Sequence, residues 1–296
     1  MADNLLSAYG QSSSPDAKFL ADVNGQTKLF PYKSIVSNGA ARARQDYADK
    51  LITKEDLYAM IADDYDGLKM GMYMTPTIHL GAHTNGTTAV AAQDMTVTVK
   101  VIDAAPFLDE VHPQYAKIAN PHIAAGVFLP STYAHCWNPT NDTTGGVTSS
   151  QLQDFNDNIL QPALENALGS DHMLAHQCLL SNAINASAVS GGYPGYTGCA
   201  SNWAWANKKV VPFTLAQICG SSRAASSFFD IGEANFQFSA FKLKYWPAVV
   251  GDNIYFWTRE VSSASHACLA DANYSITRGH DAASIHSHVA ALILLG

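Results

Sequence analysis

Charge is what this chain lacks. Only 14% of its 296 residues are Asp, Glu, Lys or Arg, while 47% are hydrophobic; a typical soluble domain carries about 25% charged residues. A chain this long buries roughly three quarters of its unfolded surface. It can therefore build a large core without disulfides or metals, and the surface over that core has to be made of Ser, Thr, Asn and Gln. The hydrophobic fraction excludes an intrinsically disordered chain.

The charges that exist give a net −8. Basic residues come in scattered pairs (Arg42 and Arg44, Lys208 and Lys209, Lys242 and Lys244). No run forms the phosphate-neutralising patch that non-specific nucleic-acid binding requires. The N-terminus, Met1 to Ser7, places Asp3 where a secretory signal carries Lys or Arg, and its apolar stretch is Leu5-Leu6 alone. The strongly apolar run Val289 to Leu295 is too short to span a bilayer. The expectation is a soluble chain with no signal peptide and no transmembrane segment. The cysteines, at 136, 178, 199, 219 and 268, are odd in number and never spaced Cys-x-x-Cys. They read as buried thiols rather than a disulfide framework or zinc knot. Asn-x-Ser/Thr triplets at Asn85, Asn141, Asn185 and Asn273 carry no weight without a signal peptide.

Residues 1–50 sustain no hydrophobic period and read as an extended N-terminal arm; 51–296 read as a single α+β domain with a sub-boundary in the Gly-, Ser- and Tyr-rich loop 187–202. A helix is expected over 54–68, where Thr53 and Asp56 form a capping box ahead of Leu57, Met60, Ile61, Tyr65 and Leu68. A second helical region is expected over 150–186. Ser150 and Gln153 open it, Pro162 kinks it, Gly169 stops it, and Ser170 starts a further helix through Met173, Leu174, Gln177, Cys178, Leu180 and Ile184. Strands are expected over 96–101, which alternates Thr or Lys with Val, and over Ile123 to Leu129. Another is expected over 236–245, with a β-bulge at 240–241, and Gly251-Asp252 reads as a hairpin turn into 254–257. Asn138 to Gly146 is a loop, and Ala282 to Leu295 fits helix or strand equally. The sum is an α+β fold, mainly antiparallel β, for which a jelly-roll-like sandwich is one arrangement; strands and helices do not alternate as a doubly wound sheet requires.

No phosphate-binding loop, dinucleotide fingerprint or nucleophile elbow is present in the sequence. His172 and His176 lie four apart, the spacing of two metal ligands on one helix face, but no third ligand accompanies them. His266, Cys268, Asp271, His280, Asp281, His286 and His288 crowd the C-terminal region, and His286 and His288 share a face if their segment is a strand. Trp203 and Trp205, with Tyr193 and Tyr196 upstream, suit an aromatic platform for a sugar or two core-facing side chains of one strand. Each of these is weaker evidence for a site than for packing, so no catalytic, cofactor-binding or metal-binding residue is assigned.

Low charge without an export signal is what a subunit covered by copies of itself would show, because interface cores are depleted in Lys, Glu and Asp. The expected function is therefore a self-assembling structural subunit, a virus or bacteriophage capsid protein located in the virion, with copies of itself and other shell proteins as partners. The alternatives are a metal-dependent hydrolase using the C-terminal histidines and a carbohydrate-binding module built on Trp203 and Trp205.

Overall fold

The computed structural model describes residues 18–23, 26–31, 39–105, 121–184, 200–214, 217–218, 237–243, 255–261, 265–271, 279–285 and 287–296. Every strand ladder among them is antiparallel. The fold is α+β and mainly antiparallel β.

Within the N-terminal 50 residues, β1 (Lys18–Val23) and β2 (Gln26–Pro31) pair as a hairpin, with Phe19 opposite Phe30 and Leu20 opposite Leu29. Residues 39–43 then make a helical turn that buries Ala40 and Ala43. From Asp46 the chain runs beside 70–73. Met70 N–H donates to Asp46 O, Ala48 N–H to Met70 O, Tyr73 N–H to Lys50 O and Ile52 N–H to Tyr73 O. Residues 39–50 thus lie along the body of the protein.

Helix α1 (Lys54–Ala62) starts as its capping box dictates. Thr53 Oγ1 accepts from Asp56 N–H at 3.0 Å, and Thr53 N–H donates to Asp56 Oδ2 at 3.2 Å. It ends at Ala62 rather than at 68, because Asp64, Tyr65 and Gly67 take positive φ and turn the chain. Tyr65 and Leu68 are still buried, but from that turn; Tyr65 Oη donates to His122 O and accepts from His122 N–H. Thr53→Ala is expected to cost about 1 kcal/mol of stability. The check is the urea midpoint, and an unshifted midpoint would mean that the exposed cap contributes nothing.

Short strands follow: β3 (Tyr73–Met74), β4 (Thr77–Leu80), β5 (His83–Asn85), β6 (Thr88–Val90) and β7 (Gln93–Thr96). Two long ones come next, β8 (Thr98–Ala104) and β9 (Ile123–Phe128). β4 pairs with β7 and β5 with β6 as separate ribbons. β8 joins β3 on one side and β9 on the other, with a register shift between Val101 and Asp103. The alternation at 96–101 predicts one polar face, yet Lys100 is only 7% exposed. The 46–52 segment covers that face, where Lys100 Nζ pairs with Asp49 and lies over the Tyr73 ring. Gly126 in β9 admits two aromatic rings: a Cβ there would sit 2.8 Å from the ring of Phe128 and 3.2 Å from that of Phe213.

The second helical region is real but shorter than 150–186. Ser150 Oγ accepts from Gln153 N–H and starts α2 (Gln151–Phe155). Gln153 does not complete a capping box; its side chain donates to Asp157 and to Val210 O. A π-helical turn, Asn156–Leu160, then leads into α3 (Gln161–Leu168), with Pro162 in its first turn. Pro162 has no N–H to give an α-helical ladder, and the wider turn before it, closed by Gln161 N–H on Asn156 O, absorbs the interruption.

Beyond Gly169, at φ 100°, the expected helix from Ser170 to Ala186 is replaced by strands. These are β10 (Met173–Leu174) and β11 (His176–Ile184), the latter paired along its length with β12 (Ala200–Lys208). The apolar residues at 173–184 fit either period over a short window, and long-range pairing with β12 decides between them. Residues 200–202 of the expected loop belong to β12; 185–199 lie outside the described residues. After β13 (Val211–Pro212) comes α4 (Ser239–Leu243), a helix where a bulged strand over 236–245 was expected. Phe238 and Phe241 both pack edge-on against Phe213. The spacing of those two phenylalanines is helical, and the Phe-Gln-Phe-Ser alternation concealed it. Gly251-Asp252 lies outside the described residues.

A three-stranded sheet, β14 (Tyr255–Val261), β15 (His266–Asp271) and β16 (Gly279–Asp281), precedes β17 (Ala290–Leu295), so the ambiguous tail is a strand. β17 is the centre of the main sheet, whose order is β10-β17-β9-β8-β3 with β13 also paired to β17. All six β17 residues are buried.

Candidate functional site

The histidines that sequence spacing groups together are held apart. His172 lies in the turn after α3, stacked on Tyr58 with ring centroids 3.7 Å apart, and its Nδ1 donates to Gly296 O. His176 opens β11 and is 2% exposed; burial first, then the Arg259 and His122 charges, pulls its pKa down to about 3. They are not on one helix face. In the C-terminal group His266 contacts Ser265 Oγ and Asp281, the latter at 3.0 Å. Cys268 is buried in β15, and Asp271 and His280 pair in register with Tyr255 and Ala267. His288 bridges to Ala134 and Phe256 through its backbone, and its Nδ1 bonds Tyr133 O at 3.2 Å. His286 lies outside the described residues, as do Tyr193 and Tyr196. Trp205 stands opposite Leu179, half-buried against the core, and Trp203 occupies the same strand two positions earlier, opposite Ser181. Among the described residues no group of three or more His, Cys, Asp or Glu is arranged to hold a metal.

Tertiary structure instead assembles a cluster that spacing could not reveal, because its members come from three separate stretches. His83 in β5, Tyr133 and His135 after β9, and Phe155 in α2 pack as rings, with His135 and Phe155 centroids 4.7 Å apart and His83 and Phe155 5.1 Å apart. The hydrogen bonds fix their protons. His83 Nδ1 donates to Gly81 O at 2.8 Å, so its Nε2 is the acceptor for Tyr133 Oη–H at 2.6 Å. His135 Nδ1 donates to Cys136 O, which leaves its buried Nε2 without a protein partner. Burial pulls His135 down to about 4, the Cys136 carbonyl works against that, and His83 adds to it. Burial pushes the Tyr133 phenol above the usual tyrosine range. At neutral pH the tyrosine and His135 are therefore uncharged. Neither of these two groups offers a phenolate or an imidazolium at neutral pH.

Beside it a polar latch fastens the β5–β6 ribbon to the start of α2. Asn85 Nδ2 donates to Ala134 O, and Cys136 N–H donates to Asn85 Oδ1. Gln151 Oε1 accepts from Gly86 N–H at 2.7 Å and from Cys136 Sγ at 2.9 Å, while its Nε2 donates to Gly86 O and Thr84 Oγ1. Gly86, at φ 63°, makes the tight ribbon tip that brings its N–H to the amide. An open cleft of about 400 Å³ adjoins the latch, lined by Asn138, Pro139, Ser149, Ser150, Asp154 and Asp157. This place was missed from sequence; the turn dipeptide Asn85-Gly86 is a signal that could have marked the ribbon tip, and nothing local announces Gln151.

No family model matches this chain, and neither any curated protein nor any solved structure shows significant similarity to it. No helix among the described residues is long and apolar enough to cross a membrane.

Proposed function

We propose that the protein is a self-assembling structural subunit, of the kind that builds a virus or bacteriophage shell, and that its partners are copies of itself and other shell proteins. The observation that carries this reading is the 14% charge. A surface that copies of the chain will cover has little use for Lys, Glu or Asp, whose desolvation opposes association. Two features of the fold support it. β1–β2, β4–β7, β5–β6 and β11–β12 are each two-stranded among the described residues, and a two-stranded ribbon is marginal in water until something packs on it or extends it. Leu51, 58% exposed, stands at the rim of a groove of about 440 Å³ with Met74, Pro76 and Leu168.

Light scattering at micromolar concentration in physiological salt, followed by negative-stain microscopy, tests it. The expected species is many times the 31.7 kDa chain and regular in shape. A monodisperse monomer would sink the proposal.

A further inference from the structure

We propose that the latch controls a spontaneous modification of its own asparagine. Closed, it blocks cyclisation of Asn85-Gly86; when the ribbon opens, Asn85 deamidates and the latch cannot close again. Glycine puts no Cβ beside the nitrogen that must attack, so Asn-Gly cyclises readily in a flexible chain. Here each group that the reaction needs is held. Asn85 pairs in register with Thr88 across the ribbon, which keeps its backbone extended. Its Nδ2 donates to Ala134 O at 2.8 Å and its Oδ1 accepts from Cys136 N–H at 3.0 Å, so the side chain cannot swing Cγ onto the next nitrogen. Gly86 N–H donates to Gln151 Oε1 at 2.7 Å, and that bond stabilises the protonated amide where the reaction needs the deprotonated one. Gln151 Nε2 fixes the other side of the same residue through Gly86 O at 3.1 Å.

The chemistry needs only water. Gly86 N, having given its proton to solvent, adds to Asn85 Cγ. The Cγ–Nδ2 bond breaks, Nδ2 takes a proton from solvent and leaves as ammonia, and a succinimide ring remains. Water opens that ring at either carbonyl and leaves aspartate or isoaspartate at position 85. An amide and a water become a carboxylic acid and ammonia, and nothing is oxidised or reduced. The product does not fit the latch. A carboxylate has no N–H for Ala134 O and sets an oxygen against it, at a place where Asn85 is half-buried. Isoaspartate also adds a methylene to the main chain, which displaces the tip that Gly86 forms at φ 63° from Gln151.

Peptide mapping of the full-length chain, aged in native buffer and in urea at one mildly alkaline pH, reads the rate at Asn85. The inference does not rest on self-assembly, since a monomer gives the same comparison. A reaction that proceeds through local opening scales with the open fraction, and the bonds of the latch should make it slower in native buffer by roughly a hundredfold. Gln151→Ala is expected to raise the native rate by roughly tenfold and to leave the rate in urea unchanged. Gln151→Glu keeps an oxygen for Gly86 N–H and should stay nearer the wild type. Equal rates in native buffer and in urea overturn the proposal, and so does a native rate that Gln151→Ala leaves unchanged. Thr53→Ala, outside the latch, should not alter the native rate; a rise matching that of Gln151→Ala would place the reaction in the globally unfolded chain and overturn it too. Asn85→Asp carries the product from the start and is expected to lose the hydrogen-exchange protection of Gly86 N–H. Protection equal to the wild type would show that the latch recloses on the product, against the proposal.

Discussion

Replacing Asp103 by alanine is expected to lower the unfolding free energy by about 3 kcal/mol. Asp103 is 3% exposed and ties three distant stretches together. Its Oδ1 accepts from Arg44 Nε at 2.8 Å and from Ala104 N–H, and its Oδ2 accepts from the backbone N–H and the hydroxyl of Ser239. Burial pushes the carboxyl pKa up, and the Arg44 guanidinium and the Ser239 donors pull against it. Alanine removes the acceptor and leaves a guanidinium and the first turn of α4 to find others inside the protein. Asp103→Asn keeps an oxygen of the same reach and should lose less. Equilibrium urea unfolding of both variants decides the matter. A loss under about 1 kcal/mol for alanine would show that solvent reaches these donors and replaces the carboxylate.

Acid is expected to unfold or loosen the protein well above the carboxylate range. His135 and His176 are held neutral by burial, with pKa values of about 4 and about 3 against an ordinary 6.5. The sign follows from which state binds protons. Below pH 6.5 the unfolded chain takes up a proton at each position and the folded chain does not, so stability is intact above 6.5 and falls as pH drops toward 4 and then 3. Each histidine contributes a slope of about 1.4 kcal/mol per pH unit while only the unfolded state is protonated, or roughly 3 kcal/mol for His135 over its whole window. Urea midpoints between pH 7 and 4.5 should therefore decline steeply. His135→Gln and His176→Gln should each flatten the decline, whatever they cost at neutral pH. A wild-type midpoint that stays level down to pH 4.5 would mean that the two imidazoles are solvated in the folded state.

What local sequence encodes, it encoded legibly. The Thr53–Asp56 box, the Ser150 cap, the Gly169 stop and the buried strand at 123–128 follow from side chains that act within four residues of themselves. Where a distant segment decides, the reading failed. β11 is a strand because β12 lies beside it, and α4 is a helix because Phe213 takes Phe238 and Phe241 from one side. The same limit governs the site. His172 and His176 are four apart in sequence and are held by different partners, whereas His83, Tyr133, His135 and Phe155 form one cluster from residues up to 72 positions apart.

The place of β17 sets a rule on how the protein can be made. Residues 290–295 pair with 123–128 on one side and with 173–174 and 211–212 on the other. As the chain grows from its N-terminus on a ribosome, β9 waits with one edge open, and β10 and β13 have no strand to join, until position 295 has cleared the exit tunnel. The main sheet is thus completed only once β17 has been made. Through the interval a highly apolar strand edge is presented to solvent, to other nascent chains and to whatever holds such chains apart.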